Sequence, residues 1–355
     1  MPIAKYLTII DSIEKEFINN PEWKERSIPS IRKLCDRYGV SLLTVNKSID
    51  ELKNRGLLYG EYGRGVYIAQ KNVGAAQEPL KKLVVFTREI VSASVQKYEM
   101  DIMSGLQGVA QNNAVEILHI QVKESFNCLE EVLKRKLLKE AGVAFVVIFE
   151  DENVHDLIEA LKRHSKPFVV IANEHVDGSH LVDFDLKQGI HAGLRDMVKQ
   201  GCSQIHYLGP EDSGKAFKTR EKTFERFLKR YELEFQEHLH IGPPNDMSSK
   251  SGYELMKALH EKGTPFDGIF VADDRMALGV MIYLTKHGID CPMDICLFSV
   301  GNNKAIDEEF IPTISSVDYE GREIGRQAFW SLLEGKESKM VKSTYVKRES
   351  TSRLS

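Results

Sequence analysis

The chain has 355 residues, of which 42% are hydrophobic and 28% charged, and its formal net charge is −4. This composition is that of an ordinary globular protein, and no apolar run approaches the roughly 18 residues needed to cross a bilayer, so no membrane partner is expected. The length favours two or three domains over one.

The amino-terminal stretch MPIAKYLTIIDSIEKEF carries acids through its apolar run and has no small-residue cleavage site. No secretory signal is expected there, and the cytoplasm is the expected compartment. Cys35, Cys128, Cys202, Cys291 and Cys296 form no CxxC pair, and reduced, buried thiols are the expectation. The net charge hides an asymmetry. Residues 1–71 hold 12 Lys/Arg against 9 Asp/Glu, and the remainder holds 36 against 43. A small basic unit precedes a large acidic one.

In KYLTIIDSIEKEFI, the residues Tyr6, Ile9, Ile10, Ile13 and Phe17 recur at helical spacing. SIPSIRKLCDRYGV predicts a second helix, capped by Ser30, with an apolar stripe of Ile31, Leu34, Cys35 and Tyr38 and a stop at Gly39. Ser41 is then the expected cap of a third helix, with Val40 and Val45 as a hydrophobic staple across it. Two helices joined by a tight Gly-containing turn make a helix-turn-helix. Leu57, Leu58 and Tyr59 predict a short strand, Gly60 to Gly65 a turn, and Val66 to Ile68 a return strand. The hairpin completes a winged helix.

IPSIRKL, YGVSLLTVNKSIDEL, RGLL and GRGVYI resemble the winged-helix domain of the GntR family of bacterial regulators. The resemblance covers about the first 70 residues. It implies that Arg32, Ser41, Leu42, Thr44, Asn46 and Gly65 bind operator DNA, with Arg64 beside the wing glycine. Two positions depart from the family pattern: Leu42 and Asn46 stand where arginines are usual. Ser41 and Thr44 can donate to phosphates at the helix amino terminus. Asn46 can pair with adenine, and Leu42 or Leu43 can touch a thymine methyl. Leu43 has the alternative of packing on the first helix. Lys47, Lys53, Arg55 and Arg64 supply phosphate attraction.

QKNVGAAQEPL, residues 70–80, reads as a linker. The expected division is 1–70 winged helix, 71–81 linker and 82–355 a larger domain. From Leu83 onward, apolar strand patterns such as LVVF, VAFVVIF, PFVVIA and GIFVA alternate with helix patterns. This predicts a series of parallel βαβ units, packed as two doubly wound halves with ligands at the strand carboxyl ends. The charged run Glu130 to Glu140 predicts an amphipathic helix. The overall class is α/β: an N-terminal winged helix-turn-helix plus a two-lobed, doubly wound domain.

VDFDLKQGI, KTREKTFERF, GIFVADDRMALGVMIYL, ISSVDYEGREIG and YVKREST resemble the LacI-type effector domain, whose fold is similar to periplasmic sugar-binding proteins. The combined layout is similar to that of arabinose-responsive regulators. The resemblance implies a sugar contact at Arg220, whose guanidinium fork suits adjacent hydroxyls. Thr223 replaces a family glycine nearby. Asp273 takes the place of a ligand-contacting Asn, and Asp274 is expected to cap the following helix. The family's sugar-binding aspartate is absent from Ser299-Val300-Gly301-Asn302, leaving Asn302 or Asn303 as substitutes. Asn173 and Glu174 lie in a further contact loop.

The chain has no G-x-S-x-G, no G-x-x-x-x-G-K and no G-x-G-x-x-G after a strand. His238 and His240 without a carboxylate motif read as surface residues. No enzyme activity, cofactor or metal is expected. The expected function is a sugar-responsive transcription regulator, with repression as the commoner sign. It binds operator DNA as a homodimer and takes a small sugar as effector. The alternative is a sugar-binding or carbohydrate-processing protein whose amino-terminal helices mediate assembly.

Overall fold

The computed structural model describes residues 5–18, 20, 23, 27–54, 57–61, 65–68, 79–88, 93–122, 127–148, 152–171, 180–210, 214–233, 246–334 and 339–353. The head begins with α1 (Lys5–Ile13), which runs into a π-helical turn, Glu14–Ile18. Ile9, Ile10, Ile13 and Phe17 are buried along this element. In α2 (Ile31–Tyr38) the Ser30 side chain accepts from the Lys33 amide, and Gly39 ends the helix at φ 63°. α3 (Leu42–Asn54) is capped by the Ser41 hydroxyl, which accepts from the Thr44 amide at 3.3 Å. Val45, Ile49 and Leu52 join Leu34 and the α1 residues in one core. Burying each such aliphatic side chain contributes about 1.5–3 kcal/mol. β1 (Leu58–Glu61) pairs antiparallel with β2 (Gly65–Ile68), and Ser27 bridges to Tyr67 beside them. The hairpin follows the helix-turn-helix as the winged-helix pattern requires.

The first lobe of the large domain contains β3 (Lys82–Arg88), α4 (Ala93–Asn112), β4 (Glu116–Val122), α5 (Cys128–Lys134), β5 (Val143–Val147), α6 (Glu152–Arg163), β6 (Phe168–Ile171) and β7 (His180–Asp185). The second lobe contains α7 (Lys187–Lys199), β8 (Ile205–Leu208), α8 (Gly214–Arg230), α9 (Ser249–Glu261), β9 (Gly268–Val271), α10 (Asp274–Lys286), β10 (Cys296–Val300), α11 (Lys304–Asp307) and β11 (Ser315–Asp318). The chain then returns through α12 (Gly321–Glu334) and β12 (Lys339–Lys342) to the first lobe, and ends through β13 (Thr344–Val346) in the second. The first sheet has the order β12-β7-β6-β5-β3-β4 and the second β13-β11-β10-β9-β8.

Two features differ from the sequence expectation. The charged helix expected over Glu130 to Glu140 stops at Lys134, because Lys136 takes a left-handed φ of 56° and turns Leu137 and Leu138 into the core. β13 runs antiparallel to β11 rather than parallel. β12 is parallel to β7 and leads straight through Ser343 into β13. A chain running toward the cleft in one lobe runs away from it on entering the other, so its strand must oppose the parallel ones there.

The chain crosses between lobes at Leu186, at 319–320 and at Ser343. These crossings are stitched together. The Ser343 amide donates to the Asp185 carbonyl at 3.1 Å, and its hydroxyl accepts from the Gly189 amide, also at 3.1 Å. The Thr344 hydroxyl donates to the Glu320 carboxylate at 2.5 Å. No helix among the described residues is long and apolar enough to cross a membrane.

Candidate functional site

Leu42 and Leu43, opening α3, are 57% and 80% exposed. Leu43 therefore does not pack on the first helix. Asn46 and Lys47 lie three to five residues further along the same side, Asn46 half-buried and Lys47 exposed. The Asn46 side chain makes no hydrogen bond among the described residues. The Lys47 ammonium sits 4.1 Å from the centre of the Tyr6 ring, so its stem is held against α1. The Ser41 and Thr44 hydroxyls are 2.9 Å apart, and buried Ser48 donates to the carbonyls of Thr44 and Tyr6, fixing α3 to α1. Arg32 is exposed in the first turn of α2, and Gly65 is exposed at the start of β2. Ser41, Leu42, Leu43, Asn46 and Lys47 thus sit on one open end of α3. Arg55 and Arg64 lie outside the described residues.

The second site lies where the strands of both lobes end. Arg220 on α8 is only 3% exposed. Its guanidinium donates to the Ala272 carbonyl and to the Tyr319 hydroxyl, and lies 4.2 Å from the Phe217 ring centre. Its Nε–H is buried without a partner among the described residues. A buried charged donor left unmet is costly, and a polar ligand can satisfy it. Tyr319 stands on the 319–320 crossing. Its ring meets Tyr98 of α4 at 5.3 Å and Phe184 of β7 at 5.4 Å between centroids, so first-lobe aromatics hold the partner of a second-lobe arginine. Burial pushes the Tyr319 phenol up to about 12, against the pull of the Arg220 charge.

Asp273, at the carboxyl end of β9, is buried and caps α10 by accepting from the Arg275 amide at 2.9 Å. The cap is therefore Asp273, not Asp274 as expected from the sequence. The extended φ of −152° at Asp273 turns its side chain toward the helix start. Asp274 points inward and accepts from the hydroxyls of Ser299 (2.5 Å) and Ser316 (2.8 Å) and from the Asn303 amide (2.7 Å). Burial raises its pKa, and these hydrogen bonds oppose the rise.

Asn302 donates to Asp318 at 2.6 Å and accepts from Arg348 at 2.6 Å. Its side chain joins the ends of β10 and β11 to the carboxyl-terminal segment at both amide atoms. Asn303 caps α11. At Gly301, φ is +139° and a Cβ would lie 2.4 Å from Asp274 Oδ2. Position 301 therefore cannot hold a side chain, least of all a second carboxylate. Asp307 is fully buried, with neither oxygen hydrogen-bonded among the described residues, and lies 3.6 Å from the Arg348 guanidinium. Burial, with Asp274 adding, pushes its pKa up to about 9. Asn173, Glu174, His238 and His240 lie outside the described residues.

The fold brings together Arg220, Asp273 and Asn302 at the strand ends, and adds Tyr319, Tyr98 and Phe184, which motif spacing did not single out. The arrangement offers a guanidinium donor among carboxylate and phenol groups, which suits a hydroxyl-rich ligand.

Residues 5–68 match the family model of bacterial regulatory proteins of the gntR family, and residues 194–351 match that of a periplasmic binding protein-like domain. The chain is 25% identical over 320 residues to the HTH-type transcriptional regulator MalR of Streptococcus pneumoniae, covering 86% of this chain and 92% of that one. It is 28% identical over 236 residues to the HTH-type transcriptional regulator GalR of Streptococcus thermophilus, covering 65% and 67%. Among solved structures it is similar to a LacI family transcriptional regulator from Enterococcus faecium with bound ribose, with a TM-score of 0.62, 21% identity, and coverage of 78% of this chain and all of the other. The chain thus joins a GntR-family winged-helix domain to a periplasmic-binding-protein-like domain, with a fold similar to that of the ribose-bound structure.

Proposed function

We propose that the protein is a transcription regulator that binds operator DNA as a homodimer and takes a small sugar in the interlobe cleft. The observation that carries this reading is Arg220, a buried guanidinium with an unmet N–H, held by a tyrosine on a lobe crossing. It lies in the same chain as a winged helix whose α3 presents an open end. The relatives named as transcriptional regulators support the same reading.

In the head, Ser41, Thr44 and the α3 amino terminus take phosphates, with Arg32 and Lys47 adding charge. Asn46 reads a base edge and Leu42 and Leu43 meet thymine methyls. Gly65 brings the wing backbone close to DNA, beside Arg64. Losing the two arginines usual at positions 42 and 46 costs about 1–3 kcal/mol each where both would contact bases. A single head then binds weakly, and pairing two heads makes the second contact intramolecular. In the cleft, Arg220 and Asp273 engage sugar hydroxyls, and the resemblance to LacI-type domains implies Asn173 and Glu174 as further contacts. Asn302 holds the floor of the site through Arg348 and Asp318.

Sugar binding shifts the lobes toward a closed state by its differential affinity for the two states, and the crossings pass that shift to the heads. Repression relieved by sugar is the sign expected. The test is footprinting on the protein's own promoter region with and without a panel of pentoses, hexoses and deoxysugars. A protected pseudo-palindrome that changes with one sugar supports the proposal. No protected site in any condition contradicts it and favours an assembly role for the exposed leucines of α3.

A further inference from the structure

Three of the five cysteines, Cys202, Cys291 and Cys296, gather at the end of the second-lobe sheet away from the cleft. All three are buried free thiols. Cys202 follows α7, and Cys296 opens β10. Between them β9 begins at Gly268, which is the register partner of Cys296. A Cβ on Gly268 would lie 3.4 Å from Cys202 Cβ and 3.5 Å from its sulfur. The Cys202 thiol therefore lies over the bare α-carbon of Gly268, on the neighbouring strand to Cys296.

Two carbonyls fix both cysteines around a cation. The Asp267 carbonyl accepts from the Cys296 amide at 3.0 Å, from the Cys202 thiol at 3.3 Å and from the Arg353 guanidinium at 3.2 Å. The Pro292 carbonyl accepts from Arg353 Nε at 3.0 Å and from the Cys296 thiol at 3.8 Å. The neighbouring Cys202 thiol lowers the Cys296 pKa, and Arg353 acts in the same direction. The neighbouring Cys296, with burial, raises that of Cys202. The Arg353 guanidinium, held between the same two carbonyls, favours the thiolate form of either sulfur, and a thiolate is the form that oxidises. Cys291 turns elsewhere, its sulfur 3.6 Å from the Ser350 carbonyl, and burial raises its pKa.

We propose that Cys202 and Cys296 are an oxidation site that closes into a reversible disulfide when the protein meets a hydroperoxide. The Cys296 thiolate attacks the peroxide O–O bond and becomes a sulfenic acid, while the peroxide, reduced, leaves as water or an alcohol. The Cys202 sulfur then attacks the sulfenic sulfur, forming the S–S bond and releasing water. Overall, two thiols and one hydroperoxide give one disulfide, one water and one reduced peroxide. The bond ties the loop after α7 to β10 across β9. Because Cys296 has no exposed surface, a small peroxide and local opening are required, and the reaction is slow compared with that of an exposed thiol.

The test treats the full-length protein with hydrogen peroxide, alkylates the remaining thiols and maps the peptides by mass spectrometry. The expected result is a Cys202–Cys296 cross-linked peptide, loss of two alkylatable thiols and recovery of both with dithiothreitol. Cys291→Ala keeps the cross-link, and Cys202→Ala or Cys296→Ala removes it. The wild-type map decides even if a buried variant folds poorly. Five alkylatable thiols surviving peroxide that oxidises half-buried Cys35 in an unfolded control would overturn the proposal. So would a cross-link through Cys291, or Cys296 over-oxidised without a cross-link.

Discussion

The Arg220 guanidinium donates to the Tyr319 hydroxyl, joining a second-lobe helix to the segment that crosses into the first lobe. The same tyrosine rests on Tyr98 and Phe184 of the first lobe. A ligand group that takes up Arg220 is thereby felt at a hinge, because both depend on one buried fork of donors.

Arg220→Ala is expected to abolish the sugar response and leave DNA binding intact. Arg220→Lys does not restore the response, since an ammonium lacks the planar fork. Calorimetric sugar titration and mobility shifts check both halves. A normal sugar response in the alanine variant contradicts the assignment of the cleft.

Tyr319→Phe leaves one arm of Arg220 buried and unpaired. A stability loss of about 1–3 kcal/mol is expected, with weaker sugar binding. Thermal melts and calorimetry read the two effects. Unchanged sugar affinity would mean that Tyr319 serves packing alone.

In the head, Leu43→Ala is expected to change stability by no more than about 0.5 kcal/mol, since the side chain is 80% exposed. Operator affinity falls nonetheless, because an apolar contact with a thymine methyl is lost. Asn46→Ala is expected to weaken specific binding more than non-specific binding. Equal losses on operator and random DNA would place Asn46 on phosphate or in the fold.

Asp307 carries a pH prediction. Its carboxyl is raised from the ordinary 3.8 to about 9, so the folded state holds a proton that the unfolded state releases. Its favourable contribution is complete below about pH 4 and is lost as pH rises toward 9. Asp307→Asn is therefore expected to raise the melting temperature at pH 8, with the gain fading by pH 4. A gain that is larger at acid pH would reverse the sign and show Asp307 bound as a carboxylate to Arg348.

Much of this arrangement was legible in the chain. Ser30, Gly39 and Ser41 marked the helix ends of the head because caps and left-handed stops are local chemistry. The alternation of strands and helices announced two doubly wound lobes. What the sequence left open was set by long-range packing. Leu43 had two equal readings until the placement of α1 left it bare. The exchange of the capping role between Asp273 and Asp274 depended on the strand exit angle. That Gly301 leaves no room for a side chain beside Asp274 shows only in the folded chain. Tyr319 lay inside a quoted motif, yet nothing in its spacing pointed to an arginine 99 residues away.

The most direct test of the central claim is operator binding by the full-length protein, measured by footprinting against the sugar panel at fixed salt. Protection of a two-fold site that weakens with one sugar in the wild type, but not in Arg220→Ala, is the predicted result. Protection indifferent to every sugar, or no protection at all, would contradict it.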